Sequence, residues 1–446
     1  MEFQRRNVSC AALLMVCALV LLPSCRDNDS RTEPFPPVVE PVTVNAPAMP
    51  TFTAPSMPTY VAPPMTFPTP STAPSIAPGS PDIRVAVLKD AAAIRLSVPA
   101  SGARIVLNGQ PWRKLSGGTN VNVTFSGTTI LLEGQPMMSP NVRFESLVPD
   151  EGLRLNDHDS AGCVTLSHPA GRSGLLAVAQ LNLEEYLAGV LAGEVPYDRW
   201  HAEALKAQAV VSRTYALSEM HGRTTDAYDV ECTVMSQVFR TGFKNVPSLM
   251  TAIQATRGQA LTSGGQLFPA YFHSTCGGHT EAAAGIFPEF ATVKPLCGVQ
   301  CAFCSQSPSF RWHATFSKET MAGKLRTQIP TLGTIETISF VDAKGVPIGG
   351  TAADLRRVQT VSIKHSNGVS QMQGNAFRLA VGPKELKSLL FGQIIDKGDS
   401  LDISGGGFGH GVGLCQYGME GMAAAGQPYI NILGLYFPGA ALTRLY

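Results

Sequence analysis

Residues 182–220 read NLEEYLAGVLAGEVPYDRWHAEALKAQAVVSRTYALSEM, and the fold turns on this stretch. Asn182 and Glu185 stand at the spacing of a capping box, which predicts a short helix running from Leu183 toward Gly189 or Gly193. His201 to Met220 then contains no Gly or Pro, and Ala202, Leu205, Ala209 and Ser212 recur at helical spacing with further Ala and Val around most of the circumference. A helix that is apolar nearly all round is a buried helix, so Lys206, Gln208 and Arg213 need partners inside the protein.

Upstream, short β-rich pieces are broken by Gly and Asn: Ile83–Leu88, Ala103–Leu107, Val121–Phe125, Thr129–Leu132 and Val164–Leu166. Strands of this length at this spacing predict mainly antiparallel sheet. Downstream, the pattern predicts helices over Pro247–Arg257, Ser317–Arg326, Lys384–Leu390 and Gln416–Ala424, and strands over Phe268–Phe272, Thr337–Val341 and Val358–Lys364. With no long repeat and no regular βαβ alternation, the expected class is α+β, mixed and mainly antiparallel sheets packed with several helices. The expected body spans 82–446, with a β-rich part to residue 180 and the chemistry from 181 onward.

The chain has 446 residues, 44% hydrophobic and 15% charged, a balance that fits a compact body and excludes wholesale disorder. Arg5 and Arg6 precede the apolar run Ala11–Leu22, which is too short to span a bilayer but suits a signal peptide over residues 1–24. Leu22-Pro23-Ser24-Cys25 resembles a bacterial lipobox, which would make Cys25 the acylated first residue of the mature chain. From Arg31 to Pro81 there are 15 prolines in 51 residues, an extended tether. The expected product is an exported lipoprotein, anchored to a membrane and facing the periplasm or cell wall. Without the export segment, 32 Lys and Arg balance 32 Asp and Glu. A nucleic-acid partner, which needs a basic excess, is therefore not expected.

Several familiar sites are missing: no His-Glu-x-x-His, no Gly-x-Ser-x-Gly and no phosphate loop. The glycines of 405–413 never reach the Gly-x-Gly-x-x-Gly spacing, so this stretch reads as a loop in which backbone and His410 closely approach a ligand or another chain segment. Three segments carry a resemblance instead. Gly193-Glu194-Val195-Pro196 with Glu203 to Tyr215, Tyr271-Phe272-His273-Ser274-Thr275-Cys276-Gly277-Gly278-His279-Thr280-Glu281, and Gly409 to Gly418 together resemble, in order, the SpoIID/LytB (stage II sporulation protein D) family.

That resemblance implies peptidoglycan glycan strands as target and a lytic transglycosylase acting on strands stripped of stem peptides, with Glu194 as general acid/base. Breaking a glycosidic bond needs a proton on the leaving oxygen, and a free Glu, with a pKa of about 4.3, must be desolvated to carry one at neutral pH. The flanking helices and Val195-Pro196 offer that shielding. In a transglycosylase the same carboxylate then acts as base on the sugar's own C6 hydroxyl, so one acid suffices. A hydrolase would call on a second, for which Asp198, Glu203 and Glu281 are the nearest in sequence. The resemblance gives Arg213 a supporting role at the substrate, the alternative being a buried ion pair with Glu203 or another acid. His273, Ser274, Thr275, His410, Gln416 and Tyr417 are expected to line the glycan cleft. The LytB branch implies a second role, a glycan-binding enhancer of a cell-wall amidase.

Beyond Cys25 the mature chain has Cys163, Cys232, Cys276, Cys297, Cys301, Cys304 and Cys415, an odd number. Cys276-x2-His279 and Cys301-x2-Cys304 have the spacing of a structural Cys3His zinc site, and zinc bound near this motif in some members of the family points the same way. Cys297 competes as a ligand and His273 for the place of His279. Disulfides are the alternative in an oxidising compartment, with Cys232–Cys415 as one pairing. No organic cofactor is expected.

Overall fold

The computed structural model describes residues 79–148, 151–156, 158–349 and 354–446. The export segment, Cys25 and most of the tether lie outside these residues. Among the described residues the helices are α1 (Leu183–Glu194), α2 (Ala202–Gly222), α3 (Pro247–Ala255), α4 (Ala283–Ile286), α5 (Lys318–Leu325), α6 (Gly374–Val381), α7 (Gln416–Ala424) and α8 (Tyr429–Tyr436). None of them is long and apolar enough to cross a membrane. The sheets are mostly antiparallel, so the class is α+β.

The β-rich part consists of two sheets, several of whose strands bury every second residue. Ile83 and Val85, Ile105, Val142 and Phe144, and Val164 and Leu166 come from one; Ile94 and Leu96, Val121 and Val123, and Ile130 and Leu132 come from the other. Period-2 burial puts these side chains on one face of each sheet, where they join the main core cluster. The first sheet also takes in Val230–Glu231, parallel to Val85–Ala86, so a later segment closes the edge of the N-terminal part.

Helix α2 is the centre of the second part. Thirteen of its residues, Ala204, Leu205 and Ala207 to Leu217, are buried, and it packs against α1, α3, α7 and α8. Helix α1 begins where Asn182 Oδ1 accepts the Glu184 amide at 3.0 Å. Only the Asn half of the capping box forms: Glu185 is exposed, and its neighbour Glu184 turns inward. The helix runs through Gly193 to end on Glu194, with Val195 already extended.

Gly189 and Gly193, one turn apart, explain why segment 238–240 lies directly on α1. A Cβ at Gly193 would sit 2.7 Å from the Val238 carbonyl oxygen, and one at Gly189 would sit 2.1 Å from that of Arg240. The missing side chains therefore admit a second backbone.

Two expectations fail here. Lys384–Leu390 is not helical: Ser388 Oγ donates to the Gly406 carbonyl and accepts the Leu390 amide, and Leu390 opens the strand Leu390–Asp396. A serine that hydrogen-bonds to the local backbone competes with helix. The Phe268–Phe272 strand is split by Pro269 into Gln266–Leu267 and Phe272–His273.

Candidate functional site

Glu194 is the last residue of α1 and sits under the 238–240 segment. Its Oε1 accepts the Val238 amide at 2.6 Å, and its Oε2 accepts a longer bond from Gln416 Nε2 at 3.5 Å. Burial pushes the carboxyl up to about 7, against the smaller lowering effects of those two donors. The C-terminal end of a helix, the negative pole of its dipole, also disfavours an anion there. No cation pairs with Glu194 among the described residues. The geometry therefore offers a carboxyl close to half protonated at neutral pH.

Gln416 reaches Glu194 because the chain brings two distant segments side by side. Phe272–His273 pairs in parallel with Leu414–Cys415, and the Tyr417 amide donates to the Ser274 carbonyl at 3.0 Å. The glycines of 407–413 make this approach feasible. Gly409 and Gly413 both have positive φ, and a Cβ on them would strike the His273 side chain at 2.7 Å and the Tyr271 carbonyl at 2.1 Å. The glycine-rich loop is thus a close approach to another segment of the chain. Trp200, six residues past Glu194, meets the ring of Tyr417, the neighbour of Gln416, edge-on with centroids 5.5 Å apart, and both rings are half-buried.

The structure brings Glu194, Gln416, Tyr417 and Ser274 together. It sets the other expected cleft residues behind them. Thr275 is buried with its hydroxyl 2.6 Å from that of Ser307. His410 has both ring nitrogens engaged, Nε2 with the Phe272 carbonyl and Nδ1 with the Val412 amide. His273 is buried and donates Nδ1–H to Val412 O, which leaves Nε2 as an unpartnered acceptor. Burial holds both histidines neutral, well below the ordinary histidine range. These three residues brace the loop.

Arg213 is likewise corrected from a substrate contact to a structural residue. It is fully buried and forked onto Glu184, Nε to Oε1 at 2.9 Å and Nη2 to Oε2 at 2.7 Å, with Nη1 on the Gln259 carbonyl. Tyr446 OH also donates to Glu184. Burial alone would raise the Glu184 carboxyl, but Arg213's hydrogen bonds and charge outweigh it and hold the carboxyl below the usual range. Arg213→Ala is expected to destabilise the protein by about 3–5 kcal/mol, because Glu184 is left as an uncompensated buried carboxylate. Equilibrium denaturation measures this, and a loss below about 1 kcal/mol would contradict it.

Of the acids considered as a second catalytic group, Asp198 is exposed beside Arg199, Glu203 pairs with Lys206 and Glu281 pairs with Arg357. Each has its own cation, and none of the three is among the groups that shift Glu194.

The thiols of Cys276, Cys301, Cys304 and Cys415 all lie within 4.8 Å of one another and all four residues are buried. Sulfurs at about 2.3 Å from a tetrahedral zinc are about 3.8 Å apart, and Cys276 Sγ lies 3.5 Å from Cys304 Sγ. Donors already face the sulfurs: Gly278 N–H on Cys276, Cys276 N–H and Gly418 N–H on Cys415, and Tyr436 OH on Cys301. Such bonds stabilise thiolate ligands. The donor set fits a closed four-cysteine metal site, with Cys415 in the place expected for His279. His279 and Cys297 are exposed. Nor does Cys232 meet Cys415, since its thiol faces the Val87 carbonyl. Cys415 lacks a nearby second cysteine in sequence, so spacing gave no sign of its role.

The family model described as "Stage II sporulation protein" matches residues 171–263, the segment containing α1, Glu194 and α2. A model described only as a domain of unknown function matches 299–413. An uncharacterized protein of Brachyspira hyodysenteriae is 32% identical over 59% of this chain and 67% of its own length. A protein named stage II sporulation protein D, of Bacillus amyloliquefaciens, is 29% identical over 63% of this chain and 79% of its own. One named amidase enhancer, of Bacillus subtilis, is 27% identical over 58% of this chain, which spans only 40% of that relative.

Proposed function

The chain belongs to the SpoIID/LytB family, and from that premise we propose that it works on the cell wall as a peptidoglycan lytic transglycosylase with Glu194 as the acid/base. The observation that carries the reading is a single shielded carboxyl, pushed up to about 7, with no other acid among the groups that perturb it.

The neutral Glu194 carboxyl donates its proton to the glycosidic oxygen as the bond from C1 to that oxygen breaks. The resulting carboxylate takes the proton of the C6 hydroxyl, whose oxygen closes on C1 to give a 1,6-anhydro end. Glu194 finishes the cycle protonated, so no water is consumed. The Val238 amide and Gln416 hold the carboxylate through the half-cycle in which it is charged. Trp200 and Tyr417 offer apolar faces to sugar rings.

A zinc ion held by Cys276, Cys301, Cys304 and Cys415 would supply structure and no reaction step, since four protein ligands leave no open position. Cys415 is at the N-cap of α7 and Gln416 is its first residue, so the site would fix the side chain that faces Glu194.

Incubation with glycan strands stripped of peptides, followed by mass spectrometry, tests the proposal. Anhydro-muramic products are expected. Reducing ends, heavier by one water, would indicate a hydrolase. Intact strands together with stimulation of an N-acetylmuramoyl-L-alanine amidase would assign this chain the role named in its Bacillus subtilis relative.

A further inference from the structure

One to three turns back along α1 from Glu194 lies a cavity. About 430 Å³ in volume, it falls within the usual range of small-molecule sites. Its walls come from four separate segments: Ser97–Pro99 and Asp159–Gly162 of the β-rich part, α1 at Glu185 and Gly189, and the loop 239–244. Gly189 and Glu185 precede Glu194 by five and nine residues, which at 1.5 Å per residue places the cavity about 7–14 Å from the acid.

Two features mark it as a site. Ser160 lines the cavity and is only 6% exposed, yet its hydroxyl has no hydrogen-bond partner. A buried hydroxyl left unpaired costs on the order of 1–3 kcal/mol, so something polar belongs opposite it. Residues of opposite charge also line the cavity without pairing with each other. Arg240 and Glu185 both line it, and neither has an ion-pair partner among the described residues. Glu185 is free because Asn182 alone caps α1, and Arg240 is held at the wall by its amide bond to the Gly189 carbonyl. Arg154 and Asp159 beside them already pair with each other at 3.0 Å.

A cavity with an unpaired cation, an unpaired anion held apart from it and a buried hydroxyl is complementary to a small zwitterion, and not to a neutral sugar. We propose that this cavity binds the zwitterionic end of an amino acid or short peptide, its carboxylate on Arg240, its ammonium on Glu185 and a polar backbone atom on Ser160.

The test is calorimetric titration of the full exported chain with D-alanyl-D-alanine, and with the neutral disaccharide of N-acetylglucosamine for comparison. Saturable binding of the dipeptide is expected, weakened at least about tenfold by Arg240→Ala and by Glu185→Gln and reduced in high salt. Asp198→Asn, an exposed position outside the cavity, should leave it unchanged. Both cavity charges are on exposed side chains, and circular dichroism would verify that the variants fold. Preference for the disaccharide, absence of dipeptide binding, or equal affinity in wild type and both variants would overturn the proposal. Because binding is read without turnover, its failure is separable from that of the Glu194 mechanism.

Discussion

Glu194→Gln is expected to cut glycan cleavage by on the order of 10²–10⁴-fold, the share a positioned acid/base supplies, while making the protein more stable above neutral pH. The second half follows from the first. A carboxyl at about 7 in the folded chain and near 4.5 when unfolded takes up a proton on folding. Its contribution is fully present below about pH 4.5 and is lost as pH rises through about 7. Above that pH the folded protein carries an ill-solvated anion, at a cost of up to about 3 kcal/mol, trimmed by partial solvent access.

Gln keeps the shape, cannot ionise, and should still accept the Val238 amide bond through its carbonyl oxygen. The stability gap between variant and wild type should therefore widen between about pH 5 and pH 8 in chemical denaturation. In wild type, kcat/KM should fall as pH rises through about 7, since the free enzyme must start protonated. Undiminished turnover in the variant, or a stability gap that ignores pH, would sink the shielded-acid mechanism.

The second large effect is expected at the four thiols. Purified chain should carry about one equivalent of zinc, and Cys415→Ser should weaken its affinity at least about 100-fold, whereas His279→Ala should leave it unchanged. Chelation should make Cys276, Cys301, Cys304 and Cys415 reactive to a thiol reagent and lower the melting temperature, because the ion joins the loop at 276, the segment 301–304 and the start of α7. Elemental analysis and thiol counting read this directly. Metal-free protein with Cys276 cross-linked to Cys304 would replace the metal site with a disulfide.

The parts of the fold legible in the sequence were those governed by local periodicity. α2 carries its burial in the run from Ala202 to Leu217, and the strands around Ile83, Ile105 and Val121 alternate as half-buried strands must. The failures came where a remote contact overrode a local preference. Ser388 answers to Gly406 instead of to a helix, and Tyr429–Tyr436, apolar but for Asn431, is helical through its packing.

The site divides the same way. Glu194 was readable because its motif lies in one segment, while its pairing with Val238 and Gln416 required folding distant segments together. Arg213 was misplaced for a physical reason: a lone cation on a buried helix needs an acid, and the acid, Glu184, lies on another helix. Cys415 lies within the Gly409–Gly418 motif but has no second cysteine near it to mark a ligand, and the Ser160 cavity carries no sequence pattern.

The start of α1 is also where the described chain enters: Asn182 Nδ2 donates to the Ser80 carbonyl, the Leu183 amide to that of Pro81, and Asp82 aligns with Asn182. The acid terminates the same twelve-residue rod, about 18 Å away. Loosening of the strand and helix cap at residues 80–82 would therefore reach the butt of the rod first, at the end remote from the acid.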